Sequence, residues 1–418
     1  MPTIKKISAR EILDSRGNPT IETKIVLDSG LCASASVPSG ASTGVHEAWE
    51  LRDGDKKRYN GLGVLNAVKN VETRIHKALK GKDISKQEEI DDAMIKLDGT
   101  ENKKNLGANA ILSVSLSAAR VGALSRGIEL YEHISKTYKF PQKEYRLPQP
   151  SFNIFNGGKH ADTNLDFQEF MIMPVKKATF AERVRIGAEI FHELGHVLKA
   201  GGFDTDVGNE GGYAPDISSS IQAIEMIIAA IVNAGYEPGR EVGLGIDVGS
   251  SELYDRESGK YIFRLDRAHF AGNTLIDLYY EWFRKYPIIS IEDGLDQDDW
   301  AGWQALNREL GSHMLLIGDD LFVTNINRLR RGLKEKAANA VLIKPNQVGT
   351  LSETIECIKL AQKHGLKTMA SHRSGETCDT FISDLAVGAH ADYIKAGSLC
   401  RGERLAKYNR LMEIEEGL

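Results

Sequence analysis

The sequence predicts an α/β protein in which a β/α barrel follows a smaller α+β domain. At 418 residues the chain is too long for one average domain and long enough to include a barrel of about 250 residues. The first third mixes strand-like and helical stretches, whereas the rest repeats short apolar runs that each end in a polar residue. We therefore expect an α+β domain over residues 1–137 and a barrel over residues 144–418.

The composition is that of an ordinary globular protein, with 41% hydrophobic and 27% charged residues. A net charge of -5 indicates neither a nucleic-acid surface nor a basic membrane patch. No apolar run approaches the ~20 residues that span a bilayer, and the first residues lack the apolar part of a signal peptide. The four cysteines are far apart, without the spacing of a zinc site or a disulfide framework. We expect a soluble cytoplasmic enzyme that requires no nucleic acid and no membrane.

The first domain alternates in the way that strands do and then becomes helical. Residues 20–27 alternate apolar and polar side chains, and residues 31–37 form a second such run after a turn. Helical stretches follow around residues 63–79 and 107–125. The second is rich in Ala and Ser and poor in charge, which is typical of a buried helix. Residues 137–150, with three prolines, have the composition of a linker.

The second domain repeats strand-like runs that end in charged or titratable side chains. Most run ends are roughly 25 residues apart, which suits one βα unit, and the longer interval after residue 247 leaves room for a loop such as 250–260. The C-terminal ends of barrel strands face one mouth, where barrel enzymes place their chemistry. The side chains at these ends are Asp247, Glu292, Asp319, Lys344, His372, Arg373 and Lys395.

Asp247, Glu292 and Asp319 are candidate metal ligands. Three carboxylates at one mouth raise one another's pKa unless a cation compensates them. Oxygen ligands without His or Cys favour Mg²⁺ over Zn²⁺. Each acid alone is explained equally well as the cap of the following helix. The three together, followed by two lysines and an arginine, favour a metal site.

Lys344 and Lys395 are the candidate bases. A lysine near Mg²⁺ and other positive charge has a lowered pKa, which suits it to accept a proton at neutral pH. Either lysine alone would be interpreted as a solvated surface residue. Its position at the end of an apolar strand favours the functional interpretation.

Three glycine-rich segments hold further candidates. Residues 39–44 could fold over an anion or supply a hydroxyl to a metal, and residues 156–160 and 208–212 hold titratable groups. If Glu210 is buried, it could be held protonated and donate to a leaving hydroxyl. Taken alone, each segment is better explained as an ordinary turn.

Residues 192–196 match the HExxH pattern of zinc proteases within a predicted helix over residues 180–199. Gly195 weakens the helix interior, and no convincing third ligand follows in the sequence. We interpret this segment as a helix of the barrel.

Several long motifs occur in the order in which one known family has them. They are EILDSRGNPT (11–20), VPSGASTGVHEA (37–48), LGANAILSVSLS (106–117), FQEFMI (167–172), SIEDGLDQDDW (290–300), GDDLFVTN (318–325), LIKPNQVGT (342–350) and SHRSGET (371–377). On these motifs the chain resembles the enolase family along essentially its whole length. The resemblance implies a modified (β/α)8 TIM-type barrel that begins with antiparallel pairing and carries an N-terminal α+β capping domain.

The resemblance also implies a lyase: a hydro-lyase that dehydrates 2-phosphoglycerate reversibly to phosphoenolpyruvate in glycolysis and gluconeogenesis, with two Mg²⁺ per active site. Family members are usually dimers or larger, so a homodimer or higher homo-oligomer is expected. The expected location is the cytoplasm, with display at the cell surface as a secondary one.

For catalysis, the resemblance implies that Lys344 removes the C2 proton and that Glu210, supported by Gln168 and Glu169, protonates the departing hydroxyl. For the metals, it implies that Asp247, Glu292 and Asp319 hold the first Mg²⁺ and that Ser42 helps to hold the second. For the substrate, it implies the following binding residues: Arg373 and Ser374 at the phosphate, Lys395 near the carboxylate, and His160 and His372 lining the pocket.

Two positions depart from the family pattern. Asn209 stands where the family usually has Asp before the acid, which changes the charge beside Glu210 and affects its pKa and the order of its loop. Gly249 replaces a common alanine after Asp247, which we expect to loosen that loop.

Two alternatives remain at this point. Another member of the enolase superfamily, such as a sugar-acid dehydratase or racemase, would share the barrel but lack the SGAST and SHRSGET segments present here. A non-enzymatic role as a receptor, lens protein or scaffold is disfavoured by the complete catalytic set, although that set leaves room for a second role.

Overall fold

The computed structural model describes residues 2–40, 44–141 and 145–418. It begins with a three-stranded antiparallel sheet in the order β1 (Ile4–Leu13), β2 (Pro19–Leu27) and β3 (Cys32–Ser36). Alternate residues of β2 are buried, because successive side chains of a strand point to opposite faces. Both strands predicted in this region are confirmed.

Helices cover the inner face of this sheet. They are α1 (Leu65–Asn70), α2 (His76–Leu79), α3 (Gln87–Asp98), α4 (Ala108–Arg126) and α5 (Leu130–Thr137). The π-helical segment Val71–Ile75 joins α1 to α2, and a short 3₁₀ turn covers Tyr59–Gly61.

Helix α4 packs across β2 and β3. This described helix is long and apolar enough to cross a membrane by length and composition, yet 83% of its apolar stretch is buried inside the protein. It is therefore the core helix that its small, uncharged side chains predicted.

The second part of the chain contains eleven strands and ten helices within the described residues. The strands are β4 (Gln149–Asn156), β5 (Glu169–Pro174), β6 (Val242–Asp247), β7 (Tyr254–Asp255), β8 (Lys260–Phe263), β9 (Ala268–Phe270), β10 (Ile288–Glu292), β11 (Leu315–Gly318), β12 (Ala340–Ile343), β13 (Lys367–Ser371) and β14 (Tyr393–Lys395). The helices are α6 (Phe180–Ala200), α7 (Ser220–Asn233), α8 (Ser250–Leu253), α9 (Gly272–Lys285), α10 (Trp300–Leu310), α11 (Ile326–Glu335), α12 (Pro345–Val348), α13 (Leu351–Lys363), α14 (Phe381–Gly388) and α15 (Gly402–Gly417).

Eight of these strands close into a barrel in the order β4, β5, β6, β10, β11, β12, β13 and β14. Strand β5 runs antiparallel to β4 and β6, whereas every other neighbouring pair is parallel. No helix of eight or more residues separates β4 from β5 in this described part of the chain, and α6 and α7 then follow in succession. The modified (β/α)8 barrel with an N-terminal α+β domain is confirmed.

Two local predictions are wrong. The loop expected over 250–260 is instead α8 followed by the first strands of a small antiparallel sheet, β7–β9. The linker expected over 137–150 ends earlier, because β4 begins at Gln149 and Pro150 pairs with Ile394 of β14. Proline suggested a linker here, but the closing strand pair of the barrel overrides that local preference.

Candidate active site

Within the described part of the chain, the predicted site residues come from loops and strand ends that meet at one mouth of the barrel. Asp247, Glu292 and Lys395 are the last residues of β6, β10 and β14, and Lys344 directly follows β12. Because β5 is antiparallel, its first residue, Glu169, lies at the same end and pairs with Asp247 in the register. The antiparallel strand thus adds a carboxylate to the mouth from its N-terminal end.

Lys395 is the centre of the first charge cluster. Its Nζ lies 3.0 Å from Asp247 Oδ2, 2.9 Å from Glu292 Oε2 and 3.2 Å from Glu169 Oε2, and all four side chains are buried. Burial lowers the pKa of Lys395, but these carboxylates raise it well above its ordinary value. The ammonium therefore stays charged among three acids.

Lys344 forms a close ion pair with Asp319, whose other oxygen accepts a hydrogen bond of 2.8 Å from Gln347 Nε2. Burial lowers the pKa of Lys344, but the charge of Asp319 raises it above its ordinary value. The protein's own groups thus shift the pKa of Lys344 upward, whereas the sequence predicted a downward shift for a lysine beside a cation. Arg373 and Lys395 act in the predicted direction and lower the pKa, although they do not outweigh Asp319.

Glu210, in the loop between α6 and α7, is 2% exposed and is held from three sides. Its Oε2 accepts a hydrogen bond of 3.0 Å from Asn153 Nδ2 and lies 3.3 Å from His372 Nε2. Its Oε1 lies 3.5 Å from His160 Nδ1, which in turn lies 3.2 Å from Glu169 Oε1. The structure therefore brings four of the predicted residues into one contact network.

In this network, burial and the neighbouring charges together determine the direction in which each pKa is shifted. Burial lowers the pKa of His160, but Glu210 and Glu169 raise it above its ordinary value. Burial and the charge of Glu210 raise the pKa of Glu169 to about 7. Burial raises the pKa of Glu210, but His160 and His372 lower it well below its ordinary value. Without substrate charge nearby, Glu210 is thus a carboxylate at neutral pH.

Arg373 binds a carboxylate through both terminal nitrogens. Its Nη1 lies 2.8 Å from Glu47 Oε2 and its Nη2 lies 3.0 Å from Glu47 Oε1, while Nη1 also donates to Asn346 Oδ1 at 3.1 Å. This fork is the geometry with which arginine also binds phosphate. The adjacent Ser374 is buried, and its carbonyl oxygen accepts a hydrogen bond from Arg404.

The donor set of the mouth suits a hard divalent cation. Asp247, Glu292 and Asp319 offer only oxygen, which is the ligand chemistry of Mg²⁺. The distances between candidate ligand atoms, however, do not place these three carboxylates in one group. Within the described residues, the groups whose candidate ligand atoms lie within 4.8 Å of one another are Asp293 with Asp319 and Asp320, and His160 with Glu169 and Glu210. Asp247 and Glu292 pair with Lys395, whereas Asp319 pairs with Lys344.

Ser42, the remaining predicted ligand, lies outside the described residues.

Both departures from the family pattern are accommodated by the backbone. Gly249 has a left-handed backbone with φ +59°, and a Cβ there would lie 2.1 Å from Gln168 Nε2. The backbone therefore packs closely against the buried Gln168 at this glycine, and an alanine there would require the Gln168 side chain to move and would hold a left-handed conformation. Asn209 donates from its backbone N–H to His160 O at 2.9 Å, and its own carbonyl accepts from Arg404 Nη2 at 2.9 Å. Main-chain contacts thus order the acid's loop.

Sequence reasoning missed three residues that contact the predicted site residues: Asn153, Glu47 and Arg404. Asn153 could have been found, because it is a polar residue in the buried strand β4. Glu47 lies inside the motif over 37–48, but its pairing with Arg373 depends on a contact between distant segments. Arg404 gave no signal, since a charged residue in a helix is normally exposed.

The HExxH segment is part of α6, as expected. His192 and His196 are exposed, and His196 Nδ1 lies 3.1 Å from Glu193 Oε1. The metal-ligand groups found among the described residues do not include them.

Two family models match the chain. The enolase N-terminal domain matches residues 4–134, and the enolase C-terminal TIM barrel domain matches residues 144–418.

Proposed function

Because the chain belongs to the enolase family, we propose that it catalyses the reversible dehydration of 2-phosphoglycerate to phosphoenolpyruvate, a step of glycolysis and gluconeogenesis. The family match supports a lyase-type enzyme of a metal-dependent family. We propose Mg²⁺ as the cofactor, with two ions per active site.

The observation that carries this proposal is that a lysine, Lys344, and a buried carboxyl group, Glu210, are both present at one barrel mouth. Lys344 lies beside Asp319, and Glu210 lies in the network of His160 and His372. A β-elimination next to a carboxylate requires one group that accepts a proton and another that donates one. These two side chains fit those two roles.

In the proposed dehydration, Nζ of Lys344 takes the proton from C2 of 2-phosphoglycerate. The electron pair forms the C2–C3 double bond, the C3–O bond breaks, and Glu210 gives its proton to the leaving hydroxide. One phosphoenolpyruvate and one water result. Lys344 must be neutral to begin this step, and the charges of Arg373 and Lys395 favour that form.

Glu210 must be protonated to act as the acid, although His160 and His372 lower its pKa in the free protein. The phosphate and carboxylate of the substrate bring negative charge, which raises the pKa of nearby carboxyl groups. Substrate binding would therefore favour the acidic form of Glu210.

The remaining residues would hold the substrate and its cofactor. Asp247, Glu292 and Asp319 would hold Mg²⁺, whose charge stabilises the negative charge that develops on the substrate carboxylate. Arg373 would bind the phosphate by exchanging its bidentate contact with Glu47 for one with phosphate oxygens.

The test is the ultraviolet absorbance of the enol product formed from 2-phosphoglycerate, measured with and without Mg²⁺. We expect Mg²⁺-dependent turnover by the wild type, and a loss of about 10²- to 10⁴-fold in kcat for Lys344→Ala, because the base is removed.

The matched control is Lys367→Ala. Lys367 is an exposed lysine at the opposite end of the barrel strand β13, where it pairs with Asp392 at 2.7 Å. The Lys367→Ala variant should keep wild-type turnover. Absence of turnover by folded wild type with Mg²⁺ would refute the proposed reaction, and full activity of Lys344→Ala would refute the assigned base.

A further inference from the structure

Arg404, near the start of α15, is a charged side chain with 0% exposure. Its Nη1 lies 2.6 Å from His372 Nδ1 and donates to Arg373 O at 2.7 Å. Its Nη2 donates to Ser374 O at 2.6 Å and to Asn209 O at 2.9 Å. Arg404 thus joins the segment that contains His372 to the loop that contains Glu210.

The contact with His372 determines where the imidazole proton lies. A guanidinium group has only donors, so His372 Nδ1 must accept, and it can accept only when it carries no proton. This excludes the imidazolium ion and the Nδ1–H tautomer. The proton therefore lies on Nε2, which is 3.3 Å from Glu210 Oε2.

The same reasoning identifies which carboxyl oxygen of Glu210 carries the proton in the acid form. Oε2 faces two donors, the amide of Asn153 at 3.0 Å and Nε2–H of His372. An oxygen that accepts two hydrogen bonds is the less favourable place for a proton. Oε1 lies 3.5 Å from His160 Nδ1, which makes no hydrogen bond among the described residues, so the proton of the acid form lies on Oε1.

We propose that Arg404 is a positioning residue that fixes His372 as the Nε2–H tautomer and thereby places the transferable proton of Glu210 on Oε1. This inference rests on the proposed role of Glu210 as the acid. It extends that role to a side chain that acts through His372.

Two further facts support the inference. Burial lowers the pKa of His372 to about 3, so the imidazole carries a single proton at neutral pH. The planar fork of arginine can donate to the imidazole and to backbone carbonyls at once, whereas the ammonium of lysine is a compact point charge. Lysine would therefore be only a partial replacement.

The direct test is the protonation state of His372 in the full-length wild-type protein with Mg²⁺. Proteins labelled with ¹⁵N-histidine would be examined by NMR between pH 6 and 8, with the His372 signals identified by their loss in His372→Gln. We expect a neutral ring that is protonated only at Nε2. A proton on Nδ1, alone or together with one on Nε2, would overturn the proposal.

The second test uses three variants: Arg404→Met, Arg404→Lys and Arg401→Met. We expect Arg404→Met to lose the single tautomer and to reduce kcat about 10- to 100-fold with a smaller change in KM, and Arg404→Lys to recover part of both. Arg401 also binds the acid's loop, through Gly208 O at 3.2 Å, and has no contact with His372 among the described residues. Arg401→Met should therefore keep the wild-type tautomer.

A folded Arg404→Met protein with wild-type tautomer and kcat would overturn the proposal in favour of a purely structural arginine. If Arg404→Met does not fold, the wild-type NMR spectrum and the Arg404→Lys variant decide whether the proposal holds. Because the NMR measurement does not depend on turnover, an inactive wild type would contradict the proposed reaction while the tautomer still tested Arg404.

Discussion

His133 is a buried histidine outside the active site whose protonation affects stability. It lies in α5 with 1% exposure; its Nε2 is 3.5 Å from Thr137 Oγ1, and its Nδ1 has no hydrogen-bond partner among the described residues. Burial, together with the charge of Arg126, lowers the pKa of His133 from 6.5 to about 4. The folded protein therefore favours the neutral ring.

This shift predicts a pH-dependent loss of stability. Below pH 6.5 the unfolded chain binds a proton at His133, whereas the folded protein does so only near pH 4. The free energy of unfolding should therefore fall as the pH is lowered through this window, and His133 should account for about 2 kcal/mol at pH 5. Urea unfolding of wild type and His133→Gln at pH 7.5 and pH 5 measures this contribution.

The control for His133 is His364→Gln, which changes an exposed histidine. It should retain the wild-type difference between the two pH values, whereas His133→Gln should show a smaller one. An unchanged pH difference in His133→Gln would mean that the unfolded and folded states bind protons equally at this position.

In helix α6, the residue at the N-terminus follows local sequence preferences, whereas a residue in the interior is explained only by tertiary packing. Thr179 caps its N-terminus by accepting a hydrogen bond of 3.2 Å from the backbone N–H of Glu182, an arrangement that the sequence pattern T-x-x-E favours. Gly195, by contrast, contradicts local helix propensity. A Cβ at Gly195 would lie 2.5 Å from Tyr213 Oη, and the Tyr213 ring is stacked on Phe191 at 4.5 Å between centroids.

Two effects compete when Gly195 is replaced by alanine. Helix propensity should stabilise the protein by about 1 kcal/mol, whereas overpacking against a fixed ring costs about 1–3 kcal/mol. We expect Gly195→Ala to lower the free energy of unfolding by about 1 kcal/mol. Thermal and urea unfolding of the variant measure this difference.

The double-mutant control removes the hydroxyl that the new methyl group would meet. In a Tyr213→Phe background, Gly195→Ala should cost less stability, because the 2.5 Å contact with Oη is removed and the 3.1 Å contact with the ring carbon Cζ remains. An equal loss in both backgrounds would show that the contact with Tyr213 Oη is not the reason for the glycine.

At the scale of the whole molecule, the two domains share one hydrophobic core, which extends from Ile4 to Ile414. A buried polar contact reinforces it. Asp91 of α3 has 0% exposure, and its Oδ2 accepts hydrogen bonds from the backbone N–H of Ser352 at 3.0 Å and from its hydroxyl at 2.6 Å, at the start of the barrel helix α13.

This shared core predicts that both domains unfold in one transition. We expect calorimetry of Asp91→Ala to show a single transition at lower temperature, with a loss of about 2 kcal/mol, because the backbone N–H of Ser352 and one amide N–H of Gln87 lose the acceptor that Asp91 provides. Asp92→Ala, a change at the exposed neighbouring position, should be nearly neutral. Two separated transitions in either protein would contradict the single cooperative unit.

The sequence by itself determined the order and type of most elements and the side chains at the barrel mouth. Strand alternation, helix periodicity and the T-x-x-E cap involve residues only a few positions apart, so local patterns predict them. The positions of Asp247, Glu292, Lys344 and Lys395 followed from the same patterns, because parallel strands of a barrel all end at one mouth.

Only the tertiary structure decided which of these groups touch. Lys395 meets Asp247 across 148 positions, and Arg373 meets Glu47 across 326. The reversed direction of β5, which adds Glu169 to the mouth, and the burial of Arg404 beside His372 have no local signature. The physical cause of these contacts is the closure of the barrel and the packing of the first domain against it, which bring segments that are distant in the sequence together. These contacts determine the charge, tautomer and pKa of each group.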